Sequence, residues 1–309
     1  MGSRLQVAAS IAALVGGLLG LSGTLWMIAD NPLARFRVGL SIFSIPLIFS
    51  GLTLSCLALA LALWWDGAKG TRPLRRAGSV FALVAGLLLL PWALWTNPAF
   101  AATVDPPAQI GPILPFSLAS IPMLAVGVAL ARWEKASGMA RVRGLQWGII
   151  VGSGAALAGG LWFSGDALLV TPPVCDIGRV GTVLCLQPIT SWQRAALGLS
   201  RAGLAAFGIA LGLSLWRRGG GRAASANPGG RRVLIMGGAS FLLLSAVLLI
   251  MALVLIIPVP GVSPFLQQLF FSLGRLGSSL ELGLPMLAHS LLVIGVALTL
   301  LSVRTTHVR

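Results

Sequence analysis

Residues 233–257 read VLIMGGASFLLLSAVLLIMALVLII, 25 consecutive positions without a charged side chain. As an α-helix rising 1.5 Å per residue, this run extends about 38 Å, enough to cross the roughly 30 Å hydrocarbon core of a bilayer. A barrel strand would instead alternate apolar and polar residues over about 10 positions. Nothing here alternates, so the stretch reads as a transmembrane helix.

Seven more runs of the same kind appear on either side of it: Leu5 to Ala29, Leu40 to Trp65, Ser79 to Trp95, Ile113 to Arg132, Gln146 to Phe163, Trp192 to Trp216 and Leu282 to Val303. The composition agrees with them. Of the 309 residues, 57% are hydrophobic and 9% charged, with a mean hydropathy of +0.94. A soluble domain carries about 25% charged residues, so this chain lacks the polar surface that a water-soluble globule needs. The expected fold is an all-α, polytopic transmembrane bundle of eight spans. The first run is about as long as a full span and has no Ala-x-Ala site, so it reads as a retained helix rather than a signal peptide. Gln6 stands where N-myristoylation requires Ser or Thr.

Orientation follows from the placement of Lys and Arg, which short cytoplasmic loops retain. With the N-terminus inside, 16 of the 22 basic residues fall on the cytoplasmic side, among them Arg4, Arg75, Arg76, Arg132, Arg143, Arg217, Arg231, Arg232 and Arg304. Both termini are then cytoplasmic. Tryptophan, which prefers the headgroup level, gives an independent check. Trp26, Trp92, Trp95, Trp162 and Trp192 fall at outer span ends, and Trp64, Trp65, Trp133, Trp147 and Trp216 at inner ends.

The formal charge of +15 raises the question of nucleic acid, but the bases sit in short loops with no recognisable binding module, so no nucleic acid is expected. The same loops suit anionic lipid headgroups. Twenty Arg against two Lys suggest a high-GC genome, and the loop lengths suit a prokaryotic inner (plasma) membrane.

The two halves share motifs in the same order. Ala12-Ala13-Leu14-Val15-Gly16-Gly17-Leu18 parallels Ala155-Ala156-Leu157-Ala158-Gly159-Gly160-Leu161, and Arg75-Arg76 parallels Arg231-Arg232. Pro122-Met123-Leu124-Ala125 parallels Pro285-Met286-Leu287-Ala288, and Val126-Gly127-Val128-Ala129-Leu130 parallels Ile294-Gly295-Val296-Ala297-Leu298. The expectation is a four-plus-four duplication, residues 1–143 and 144–309. Because each half has an even number of spans, both enter the membrane in the same direction, giving a parallel repeat. Small residues four apart, as at Gly16 and Gly20 or Gly208 and Gly212, let helix backbones approach closely.

Cys175 and Cys185 lie in the outer loop 164–191, where a disulfide can persist, and are expected to pair. No His accompanies them, which argues against a metal site. Cys56, inside a span, reads as a small buried apolar residue.

Catalytic signatures are missing: there is no His-Glu-x-x-His, no Walker loop, no Cys-x-x-Cys and no Ser elbow. Six of the seven acidic residues lie in loops or at span ends. No enzyme is expected. One polar cluster invites a functional reading, because ionisable groups within a membrane are expensive. Arg201 lies deep in the sixth span, with Arg194 two turns outward, while Glu281 and His289 belong to the last span. Pro264 to Arg275 reads as an outer interfacial helix adding Gln267, Gln268 and Arg275. A packing role for the same residues is equally open, since Arg201 can snorkel and Glu281 can pair with Arg275.

These features lead to an expectation of a non-enzymatic integral membrane scaffold or accessory subunit, associated with other membrane subunits and requiring no cofactor. One alternative is a small-solute or lipid transporter with a site between the two halves. Another is a tetrapyrrole-binding protein using His289. The topology gives a direct test: a fluorescent protein fused after Arg309 is expected to mature in the cytoplasm, and a phosphatase inserted near position 180 is expected to be active outside. The reverse pattern would overturn the orientation.

Overall fold

The computed structural model describes residues 2–30, 41–67, 73–95, 118–133, 143–169, 176–177, 183–184, 190–220, 228–256, 268 and 275–302. Each expected span has a helix: α1 (Gly2–Asp30), α2 (Ser41–Gly67), α3 (Pro73–Trp95), α4 (Ser120–Trp133), α5 (Arg143–Leu169), α6 (Ser191–Gly220), α7 (Pro228–Ile256) and α8 (Arg275–Ser302). Seven are long and apolar enough to cross a membrane, and α4 is shorter, with 14 residues. Between α5 and α6, β1 (Asp176–Ile177) and β2 (Val183–Leu184) form a two-residue antiparallel ladder.

Several helices outrun the apolar windows that announce them. α3 begins at Pro73 rather than Ser79, and α8 at Arg275 rather than Leu282. Hydropathy stops at the edge of the hydrocarbon, whereas main-chain hydrogen bonding continues through polar flanks until something breaks it. Proline at a first helical position sacrifices no bond, which suits Pro73 and Pro228. Arg275 therefore opens α8 instead of closing a separate interfacial helix. Of the segment expected to form that helix, only Gln268 and Arg275 fall among the described residues.

The helices pack as a closed ring. Each touches its neighbours in sequence, and α8 returns to pack on α1. The even-numbered helices sit further inside. Buried residues make up 56% of the apolar window of α2 and 61% of those of α6 and α8, against 33–39% for α1, α3, α5 and α7. In α4, nine of the 14 residues are buried. Additional contacts join α2 to α8 and α4 to α6, drawing the inner helices together. Leu59 and Leu63 of α2, Leu124 and Val128 of α4, Leu204 and Leu211 of α6, and Leu292 and Val296 of α8 share one continuous core. The outer faces carry exposed Leu, Val, Ile and Trp, as a lipid-facing surface requires.

Lipid tails are as apolar as leucine, so helix association in a membrane depends on close fit and on hydrogen bonds rather than on burial from water. Both are visible. Ser55 Oγ donates to Ala13 O (2.9 Å), Ser79 Oγ to Ala60 O (2.7 Å) and Ser245 Oγ to Ala288 O (2.7 Å), tying α2 to α1, α3 to α2 and α7 to α8. Where α3 crosses α4, a Cβ placed on Gly127 would stand 2.5 Å from the Gly78 carbonyl oxygen and 3.3 Å from Phe81 Cβ. That crossing requires glycine, because the atoms in the way are main chain.

Overpacking a tight interior costs about 1–3 kcal/mol, and backbone cannot swing aside as a side chain can. Gly127→Leu is therefore expected to lower the thermal unfolding midpoint in detergent by several degrees or to abolish folding. Gly144→Leu, at a position with nothing within 4 Å of its added Cβ, should leave the midpoint unchanged. Equal midpoints for the two variants would overturn this packing account.

Candidate functional site

Arg201 lies ten residues after α6 begins, about 15 Å along the helix. The start of α6 is fixed by a reciprocal cap. Gln193 N donates to Thr190 Oγ1 (3.1 Å), and Thr190 N donates to the Gln193 side-chain oxygen (3.1 Å), so two end groups are satisfied together. The pattern Thr-Ser-Trp-Gln carries this signal in the sequence, although hydropathy alone passes over it.

The guanidinium of Arg201 reaches across to α7, where Nη1 donates to the carbonyl oxygen of Ala252 at 2.8 Å. Ala252 is one turn before α7 finishes at Ile256. The carbonyls near the end of a helix point toward the negative pole of its dipole, about half an elementary charge. Arg201 thus answers two needs at once: a cation is held in the bundle, and the end of α7 receives a charged donor. No side-chain pattern could have revealed Ala252, since its contribution is a main-chain atom that any residue supplies.

His289 is on α8, whose faces are assigned by their contacts. Toward α1 the helix presents Gly283, Ser290 and Ile294, which meet Ile28, Gly20 and Gly17. Toward α7 it presents Ala288, whose carbonyl accepts from Ser245, and Gly295, which meets Gly238. At 100° per residue, His289 falls on the remaining face with Leu292 and Val296, directed into the ring. Leu292 and Val296 are closed off at 0% and 1% exposure, whereas His289 keeps part of its surface open.

The other expected members fall into place differently. Arg194 is exposed in the first turn of α6, its backbone N–H donating to Thr190 O (3.0 Å), and does not share the enclosed position of Arg201. Gln268 is exposed and Gln267 lies outside the described residues. Glu281 belongs to α8, two turns from His289, and Arg275 is that helix's first residue. Cys175 and Cys185 lie outside the described residues, on either side of the short ladder. Cys56 is fully buried in α2, as its setting in the sequence suggests. Among the described residues, no three His, Cys, Asp or Glu side chains gather in a way that could hold a metal ion.

Arg201, Ala252 and His289 come from α6, α7 and α8, all within residues 144–309. The pair does not bridge the two halves of the chain. Chemically, it offers the guanidinium fork and an imidazole N–H, both hydrogen-bond donors. Searches against family models, curated proteins and solved structures return no match for this chain.

Replacing Arg201 by Gln removes a charge-assisted bond of the kind that contributes about 1.5–3 kcal/mol. Arg201→Gln is expected to lower the unfolding midpoint and to speed deuterium uptake in the last turn of α7, residues 252–256, ahead of the rest of that helix. Unchanged uptake there would show that the guanidinium does not hold the helix end.

Proposed function

We propose that this chain is a non-enzymatic integral membrane subunit that presents one face of its bundle to another membrane protein. The observation carrying this reading is α5. Most glycines in the spans meet atoms of the protein's own helices, as do Gly16, Gly51, Gly78, Gly152, Gly203 and Gly295. A Cβ added at Gly144, Gly154 or Gly165, all on α5, meets nothing. Trp147 and Val151 on that helix are 56% and 61% exposed, and Ala158 is exposed with them. Positions 147, 151, 154, 158 and 165 follow one another at intervals of three, four and seven, so they line one side of the helix. A shallow small-residue groove between larger side chains is the surface against which a second transmembrane helix packs closely.

The same reading includes a parallel four-plus-four repeat, and the packing supports it. Gly16 approaches Gly51 and Ser55, while Gly159 approaches Ala196 and Ser200 with the same four-residue spacing. Gly78 crosses Gly127 just as Gly238 crosses Gly295. The extra contact of α2 with α8 corresponds to that of α6 with α4 once each helix is advanced by four. Under this correspondence Ser55 matches Ser200, and Cys56 stands where the second half has Arg201. The polar pair is then a feature of one half alone. The proposal places both termini and the Arg-rich loops on the cytoplasmic side of a prokaryotic plasma membrane, with anionic headgroups around those loops.

A disulfide between Cys175 and Cys185 belongs to the same proposal. The ladder pairs Asp176 with Leu184 and Ile177 with Val183, and the two cysteines bracket it in sequence, one position before and one after. A bond there would staple the loop on the oxidising side.

Two measurements test these statements. Native mass spectrometry of protein gently extracted from its own membrane is expected to find a partner at fixed stoichiometry, lost in Gly154→Leu without a change in unfolding midpoint. A chain that emerges alone would remove the subunit reading. Intact mass before and after reduction should differ by two hydrogens in the wild type and not in Cys185→Ser; an equal mass in both would exclude the bond.

A further inference from the structure

We propose that the first ten residues of α8, 275–284, form a hinged arm that turns about Pro285 between a docked position on α1 and an undocked one, while residues 286–302 stay fixed in the ring. The inference does not depend on the docking face of α5.

The first observation is one motif used in two ways. Pro122-Met123-Leu124-Ala125 and Pro285-Met286-Leu287-Ala288 both belong to inner helices. In α4 the proline is the third residue, where its missing N–H is among those that any helix start leaves unbonded. In α8 ten helical residues come before the same motif. There the proline withholds the donor that the carbonyl of residue 281 needs, and its ring crowds that carbonyl. A sequence that serves as a helix start in one half therefore joins two helical pieces in the other. The remaining internal prolines, Pro46 and Pro91, leave only five and four helical residues beyond them, too few for an arm.

The second observation is how differently the two pieces are held. After the hinge, Ala288 O accepts from Ser245 Oγ (2.7 Å), Gly295 approaches Gly238, and Ile294 approaches Gly17. Leu292, Val293, Val296 and Ala297 have 0–1% exposure, so this piece is locked between α7 and α1. Before the hinge, the atoms nearest an added Cβ at Gly283 are the side-chain ends of Ile28 and Met27 on α1. Side-chain tips part without breaking an interhelical hydrogen bond, and undocking uncovers them in the last turn of α1.

Local chemistry favours bending at this point. Ser290 Oγ bonds back to Met286 O (3.0 Å), a contact that competes with the helix's own ladder and bends it. Gly283 adds backbone freedom on the other side of the proline. The 17 residues 286–302 extend about 26 Å, close to the thickness of the hydrocarbon core. The arm contains Arg275 and Glu281, charges that hydrocarbon disfavours. The hinge thus falls at the edge of the apolar span, and an undocked arm remains at the polar interface.

Double electron–electron resonance on the full-length chain, in nanodiscs of phosphatidylcholine and phosphatidylglycerol, tests the hinge. One nitroxide pair joins Ser279→Cys in the arm to Gly165→Cys on α5, where an added Cβ meets nothing. A second pair joins Gly165→Cys to Leu25→Cys on the exposed face of α1 and reports the ring itself. Cys175→Ser and Cys185→Ser remove the other reactive thiols, since Cys56 is fully buried. Two distance populations are expected for the arm pair and one for the ring pair. Pro285→Ala, which restores the main-chain donor, should merge the two into the docked one. Gly283→Leu, which sets bulk against Ile28, should raise the ratio of undocked to docked about fivefold or more. A single wild-type population for the arm pair overturns the hinge. So do two populations that Gly283→Leu leaves unshifted or that persist in a folded Pro285→Ala variant. Two populations in the ring pair also overturn it, because the bundle rather than the arm is then moving.

Discussion

Inside a bilayer, a polar side chain on a helix has one dependable acceptor, the main-chain carbonyl of a neighbouring turn or of the next helix. The architecture follows from that constraint. Ser55, Ser79 and Ser245 donate to carbonyls on adjacent helices, and Arg201 donates to one at the end of α7. Thr24 and Ser164 bond four residues back along their own helices, to Gly20 and Gly160. Donors of this kind can reach across only where backbones lie close, which is why glycine and alanine populate the crossings. Hydrogen bonding and close approach are thus one requirement, met by the same short residues.

Closeness also explains the layering. An inner helix with neighbours on several sides has little lipid-facing surface, so its residues are chosen for fit. An outer helix keeps a broad apolar face, and that face tolerates large side chains. Phe207, fully buried on α6, and Trp147, more than half exposed on α5, illustrate the two regimes within one half of the chain. Arg201 joins the inner helix α6 to the outer helix α7 near the C-terminal end of the latter, where the helix dipole favours a cation.

The class of fold was legible because a charge-free run such as 233–257 admits one physical interpretation, and the same test finds the eight long helices among the described residues. Their ends were less legible. By hydropathy Arg275 belongs with an interfacial segment, because Leu276 to Glu281 dilutes the apolar character of a helix that nonetheless continues unbroken through it. The candidate site was legible in part. Arg201 and His289 stood out as ionisable residues in apolar runs, and helical spacing aligned Arg194 with Arg201. Spacing along one helix does not report enclosure, however, and Arg194 lies in the open at the start of α6. Nor does it report which helices adjoin, so the confinement of the pair to α6, α7 and α8 had to come from packing. Ala252 could not be foreseen, because its carbonyl is common to all residues.

The return of α8 onto α1 joins two helices that lie far apart in the sequence, with α1 preceding α8 by more than 240 residues. Without α8, α1 lacks one of the two helices it packs against most among the described residues, and α7 lacks the helix that meets Gly238 and accepts from Ser245. Without it the ring has a slot bounded by α1 and α7 and floored by inner-helix side chains. Insertion of α8 is therefore a keystone step. A ribosome that stops before position 275 leaves an arch without its closing stone, and membrane quality control has a defined groove by which to recognise the unfinished chain.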